Sequence, residues 1–306
     1  ALFLSGGIKE CNFGNLQKIG WTRAARTDKG VHAIGQCVSM RLTVDCEANF
    51  MRHVNKCLPD DIRLLAMTKT TKSFNARLHC SHRRYEYLLP TYLLQNHETQ
   101  VQALGDLDGP LSEARLREAR AQLSTYRLDG NTLESFRSNL KKLEGTHSFH
   151  NFTSSKTVQV SNDSQVKRFM MDISCDEPFL HVCEDGTSVE WIKVSLLGQS
   201  FLLNQIRKMI GLVVDVTRGA VPEAMFEQCY DAKNKVTVAM VPGLGLFLYE
   251  LFFDRYHSKL DHEDARLDVS KKRKADKMEE KSSSGVEECK SALKTEHVAS
   301  EVGGCG

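Results

Sequence analysis

Phe201-Leu202-Leu203-Asn204-Gln205-Ile206-Arg207-Lys208-Met209-Ile210-Gly211-Leu212-Val213-Val214-Asp215-Val216 reads as one long helix. Ile206, Met209, Ile210, Val213 and Val214 fall at helical spacing and form a single apolar stripe. Arg218-Gly219 supplies a cationic last turn and a glycine stop. Pro222 opens a second helix through about residue 232. Alternating apolar residues predict strands over 167–175 and 190–197 ahead of these helices, and a closing strand over 246–253.

Working outward, an earlier group has the same character. Val38, Met40, Leu42 and Val44 alternate along a predicted half-buried strand, 36–44. Phe50, Met51, Val54 and Leu58 predict a helix that Pro59 stops. Short strands are expected over 62–67 and 85–89, the second ended by Pro90. Two successive groups of strands and helices predict an α+β protein with mostly antiparallel sheets. Residues 1–92 and 144–257 are read as two lobes, with 93–143 as an insertion or connection carrying a helix over 111–123. From 258 to 306 the pattern gives way to a Lys/Glu/Ser-rich tail expected to be disordered. Its Lys271-Lys272-Arg273-Lys274 run reads either as a nuclear-import signal or as a solvated charge run.

The 306 residues are 41% apolar and 26% charged, which excludes a wholly disordered chain, a collagen and a disulfide-dense mini-protein. The apolar stretch 196–216 is interrupted by Gln199, Asn204, Gln205, Arg207 and Lys208, so no membrane span is expected. A net charge of +2 means that nucleic-acid binding would need a clustered basic surface. The 10 cysteines form no C-x-x-C pair and read as reduced thiols of an intracellular protein. The chain opens on Ala1-Leu2-Phe3-Leu4, which reads as the end of an apolar helix or strand.

Four places could carry chemistry. In Arg26-Thr27-Asp28-Lys29-Gly30-Val31-His32, Asp28 sits between two cations that favour its ionised form. An ionised carboxylate on a loop can serve as nucleophile or base; Asp-Lys-Gly can equally be a plain turn. Tyr85 and Tyr87 share one face of a strand beside Arg83 and Arg84, an arrangement suited to stacking on a base or to a core aromatic pair. Arg207 interrupts an apolar helix; it either meets a carboxylate or phosphate or reaches solvent along its stem. His147 with His150, and His79 with Cys80 and His82, lack a convincing fourth metal ligand, so no metal site is expected. Gly243-x-Gly245 lacks the third glycine of a dinucleotide site.

Taken in order, these blocks resemble the tRNA pseudouridine synthase A (TruA) family, and most of all its eukaryotic members. The matching blocks begin with 25–33 and Gly35-Gln36, then 58–63, 74–77 and Tyr85-Glu86-Tyr87-Leu88-Leu89-Pro90-Thr91-Tyr92. They continue with 144–153, 201–211 and Pro242-Gly243-Leu244-Gly245-Leu246. The resemblance implies two similar lobes meeting in an active-site cleft, and cofactor-free, metal-free isomerisation of uridine to pseudouridine in tRNA, with other structured RNA as a further partner. Asp28 matches the family's essential aspartate, which attacks the uracil at C6 or the ribose at C1′. Tyr85 matches the tyrosine that packs on the target base and is a candidate to take the C5 proton. Arg207 matches the basic partner of the aspartate, and Arg26 the arginine that fills the stack vacated by the flipped uridine. Leu246 matches a residue lining the uracil pocket, and Lys29 and Arg77 lie in matching blocks as substrate-binding residues. The eukaryotic branch implies targets in the anticodon stem or loop; the basic run Lys271–Lys274 favours a nuclear location, with the mitochondrion as the alternative. Family members begin with a strand ahead of the first matching block, so the first sheet is expected to lack a strand here. Non-catalytic RNA binding on the same fold, or an inactive truncated form, is the alternative; a metal-dependent RNA hydrolase using Asp28 is a third. Oligomeric state cannot be read from these residues.

Overall fold

The computed structural model describes residues 1–44, 46–99, 121, 123–154, 164–183 and 186–260. In chain order the strands are β1 (Thr22–Arg23), β2 (His32–Ala33), β3 (Val38–Ser39), β4 (His82–Pro90), β5 (Gly145–Ser148), β6 (Lys167–Cys175), β7 (Phe179–Val182), β8 (Ser188–Gly198) and β9 (Leu246–Phe252). The helices are α1 (Glu47–Cys57), α2 (Ala76–His79), α3 (Gly130–Lys141), α4 (Gln205–Thr217) and α5 (Met225–Tyr230). Among the described residues, seven strands form one sheet in the order β2-β9-β4-β8-β6-β5, with β7 paired to β8; β1 and β3 pair separately.

Alternation explains how this sheet meets its helices. Tyr85, Tyr87 and Leu89 of β4 stand opposite Leu196, Val194 and Ile192 of β8, and all six are buried. Met209, Ile210 and Val213 of α4 and Phe136 and Leu140 of α3 join the same core. Each such side chain contributes about 1.5–3 kcal/mol on leaving water. The opposite face is polar: Lys193 pairs with Glu86 and Asp176, and Arg84 with Glu250.

The structure revises several expectations. Strands from both of the ranges read as lobes, 1–92 and 144–257, join in one sheet. β4 is hydrogen bonded to β8 on one side and β9 on the other, and residues 1–253 form one unit. Antiparallel pairing dominates as expected; β2 with β9 is parallel. Within 93–143, the range read as an insertion or connection, lies α3. Asp129 caps α3 at Thr132 N, and Leu133, Phe136 and Leu140 are buried. No regular strand forms at 62–67. Instead the Asn55 side-chain amide bonds both the N–H (2.7 Å) and the carbonyl (2.9 Å) of Leu64, where a neighbouring strand would have done so. The strand at 36–44 shrinks to β3, flanked by single backbone bonds from Ala24 N to Cys37 O, from Arg41 N to Ile19 O and from Thr43 N to Gly7 O. The helices start later than Phe201 and Pro222, at Gln205 and Met225.

A second unit begins at Asp254. Most of the expected tail, including Lys271–Lys274, lies outside the described residues, as does nearly all of the helix expected over 111–123. No helix among the described residues is long and apolar enough to cross a membrane.

Candidate active site

Asp28 is held by its neighbours in sequence from both sides. Val31 N donates to Asp28 O at 3.1 Å, closing a turn in which Gly30 takes φ +78°, as the third position of a type II turn requires. Upstream, the Gln36 side chain accepts from Ala25 N and donates to Ala25 O, so one amide fixes the chain before Arg26. Downstream, β2 docks in parallel on β9 at His32–Ala33. The loop thus presents a half-buried carboxylate from a short, braced segment.

The N-terminus of α4 meets it. Asn204 adopts φ +64°, and it alone has positive φ among the described non-glycine residues. Asparagine tolerates this left-handed conformation better than most residues. The kink delays the helix until Gln205 and turns the Asn204 N–H toward Asp28. Buried groups brace the turn. Thr153 Oγ1 donates to Leu203 O at 2.9 Å, and Gln205 Oε1 accepts from Leu202 N at 2.8 Å. Lys208 does not reach for solvent; its Nζ donates to the carbonyls of Asn151 and Thr153. Arg207 points the other way, and its Nε donates to Val241 O at 2.8 Å.

Burial pushes the Asp28 carboxyl above its ordinary pKa, while the Arg207 guanidinium and the Asn204 N–H pull it back. Tyr85, from β4, lies close enough to Asp28 to interact electrostatically, and burial pushes its phenol up to about 12. Its ring meets Phe201 edge-on, with centroids 5.1 Å apart. Arg83 ties this strand to the rest of the site, donating to Ala24 O and Gln199 O.

The structure therefore brings Asp28, Tyr85 and Arg207 together from a loop, a strand and a helix. Arg26 and Lys29 flank Asp28 and are exposed. Leu246 is buried on β9, in register with Tyr87. Arg77 stands exposed on α2, whose Ala76 N donates to Ser39 Oγ beside the β1–β3 pair. Asn204, Phe201 and Thr153 were not singled out by sequence. The tolerance of asparagine for positive φ was the one available signal for Asn204. Among the described residues, no three His, Cys, Asp or Glu side chains group as metal ligands.

Comparison with known proteins bears on this geometry. Residues 140–254 match the family model described as tRNA pseudouridine synthase. The human protein named pseudouridylate synthase 1 homolog is 35% identical over 264 residues, covering 86% of this chain and 54% of that relative. The tRNA pseudouridine synthase 1 of Saccharomyces cerevisiae is 31% identical over 313 residues, covering 84% of this chain and 56% of that relative. That of Kluyveromyces lactis is 32% identical over 315 residues, covering 85% and 56%. The chain spans about half the length of the curated relatives it matches. Together with the blocks around Asp28, Tyr85 and Arg207, these matches show that the chain carries a pseudouridine synthase domain of the TruA type.

Proposed function

We propose that this chain isomerises uridine to pseudouridine in tRNA, with Asp28 as the nucleophile and targets in the anticodon stem or loop. The observation that carries the reading is a half-buried carboxylate facing a guanidinium, a helix N-terminus and a buried tyrosine at once. A uridine must leave its stack before any of these groups reaches it, at a cost of a few kcal/mol. In this reading Arg26, exposed beside Asp28, fills the vacated position, and the exposed Lys29 and Arg77 meet phosphates. The Asp28 carboxylate forms a bond to C1′ or to C6, and the C1′–N1 bond breaks. The uracil turns while held, C5 bonds to C1′, the C5 proton leaves, N1 takes up a proton and Asp28 departs as carboxylate.

Arg207 and the Asn204 N–H favour the ionised state that attack requires. Tyr85, with its phenol near 12, is a protonated stacking surface at neutral pH. Its ionisation to accept the C5 proton is opposed by burial and by Asp28. The basic run Lys271–Lys274 supports a nuclear location, with the mitochondrion as the alternative.

The test uses the chain with a tRNA transcript tritiated at uridine C5. Tritium release is expected, and Asp28→Ala should abolish it while leaving tRNA binding intact. Undiminished release by Asp28→Ala would overturn the nucleophile. A folded chain that binds tRNA without release would support the RNA-binding alternative.

A further inference from the structure

The chain between α4 and β9 crosses the site as a strap whose two sides are fixed to different elements. On the α4 side, Ala239 lies so close that a Cβ on Gly211 would sit 2.3 Å from its carbonyl oxygen. One helical turn earlier, Val241 bonds Arg207 twice. Its carbonyl accepts from Arg207 Nε at 2.8 Å, and its N–H donates to Arg207 O at 3.3 Å. On the β4 side, the Tyr87 hydroxyl donates to Pro242 O at 2.9 Å. Leu88 N donates to Gly245 O at 2.9 Å, and a Cβ on Gly245 would fall 2.5 Å from Leu88 O. Between these anchors the strap touches the Asp28 turn, where a Cβ on Gly243 would lie 3.4 Å from Val31 Cγ2.

Two consecutive carbonyls therefore have two different owners: Val241 O belongs to Arg207 and Pro242 O to Tyr87. A guanidinium donates through Nε and through two terminal nitrogens in a planar fork. Holding Nε on Val241 fixes one edge of the fork and so limits the plane in which the guanidinium can lie as it interacts electrostatically with Asp28. The two carbonyls lie in successive rigid peptide planes joined at Pro242, whose ring fixes φ, so the phenol that holds Pro242 O also limits where Val241 O can point.

We propose that Tyr87 is a positioning residue for Arg207, acting through Pro242 and the Val241 carbonyl to hold the guanidinium in place beside Asp28. The proposal rests on the reading of Asp28 and Arg207 given above. Burial pushes the Tyr87 phenol up to about 12, so it remains a donor throughout the neutral range.

The test is Tyr87→Phe, which keeps the ring and removes the donor. Asp28 is faced by Arg207 and the Asn204 N–H from α4 and by Tyr85 from β4, with Arg83 next to Tyr85; Arg26 and Lys29 flank it in its own loop. Of these groups, Tyr87→Phe should displace Arg207. A cation lowers the pKa of a neighbouring carboxylate, so loosening Arg207 raises that of Asp28. The acid limb of the pH profile of kcat/KM is expected to move to higher pH. Single-turnover rate should fall about tenfold, with KM within about twofold, because the loss is in geometry rather than RNA binding.

An unmoved acid limb overturns the proposal, whatever happens to the thermal midpoint, because a merely structural bond would not shift it. Should Tyr87→Phe not fold, Arg207→Lys keeps the charge and loses the Nε anchor, and the same displaced limb is required of it. Asp28→Ala is run alongside. Retained turnover there would sink the active-site reading itself; an inactive Asp28→Ala beside an unmoved limb would sink only the role of Tyr87.

Discussion

Gly211→Ala places one methyl group where the strap crosses α4. The new carbon would stand 2.3 Å from Ala239 O and 3.0 Å from Ala239 C. Both atoms are backbone, so no side-chain rotation relieves the contact, and the strap must retreat by roughly 1 Å to reach ordinary separation. Two terms oppose each other in stability. Alanine in a helix interior gains about 1 kcal/mol over glycine, and overpacking costs about 1–3 kcal/mol. The net loss is then about 0–2 kcal/mol, a fall in Tm of no more than about 8 °C for a unit of this size. Activity should suffer far more than stability. The Arg207 Nε bond to Val241 O is 2.8 Å long and cannot survive a shift of that size intact. A misplacement of about 1 Å at a catalytic group can cost about 100-fold in rate. Tritium release under single-turnover conditions, read beside a melting curve, measures both effects. Turnover within about threefold of the parent, with Tm unchanged, would refute the reasoning, because it would mean that Ala239 does not press on Gly211.

Two further perturbations follow from the same site. Burial raises the pKa of Asp28, so the charged carboxylate costs the folded state stability at neutral pH, and Asp28→Asn should raise Tm at pH 7 while ending turnover. A raised folded value means that its contribution is present below the ordinary 3.8 and is lost as pH rises through the folded value. The Tm gap between variant and parent should therefore close on acidification toward about 4, whereas a lower Tm for the variant at pH 7 would show that Arg207 and Asn204 outweigh burial. Thr153→Val keeps the shape of a side chain only 3% exposed but orphans Leu203 O, at a cost of about 1–3 kcal/mol or roughly 2–12 °C in Tm. An unchanged melting curve would mean that the Leu203–Asn204 turn does not depend on that bond.

Periodicity made much of this legible. The stripe of α4, the alternation of β6 and β8 and the apolar run of β9 announce their elements because each buries one face, and burial leaves a period in the residues. The helix α3 carries the same signal in Leu133, Phe136 and Leu140, yet it lies in a polar stretch that invites reading as a connection. The strand expected at 62–67 had the right residues; the side chain of Asn55 bonds Leu64 in its place, and local composition cannot report such a pairing. Asp28, Tyr85 and Arg207 were visible as candidates because each is chemically out of place in its surroundings. A carboxylate between cations, a tyrosine pair beside arginines and a guanidinium in an apolar helix all stand out in a chain of letters.

The sequence by itself determined which segments are helix or strand at the centre of the sheet, where the reactive side chains lie and what family of chemistry they resemble. Those properties rest on local periodicity and on the identity of single residues. Only the tertiary structure decided that strands from both halves share one sheet, since β4 chooses β8 and β9 as partners across more than 100 and 150 residues of chain. It alone decided that Asn204 turns left-handed to aim an N–H at Asp28, and that Val241 and Pro242 divide their carbonyls between Arg207 and Tyr87. The reason is common to all three. A backbone group looks the same in every residue, so the partner it finds depends on where the rest of the chain has packed.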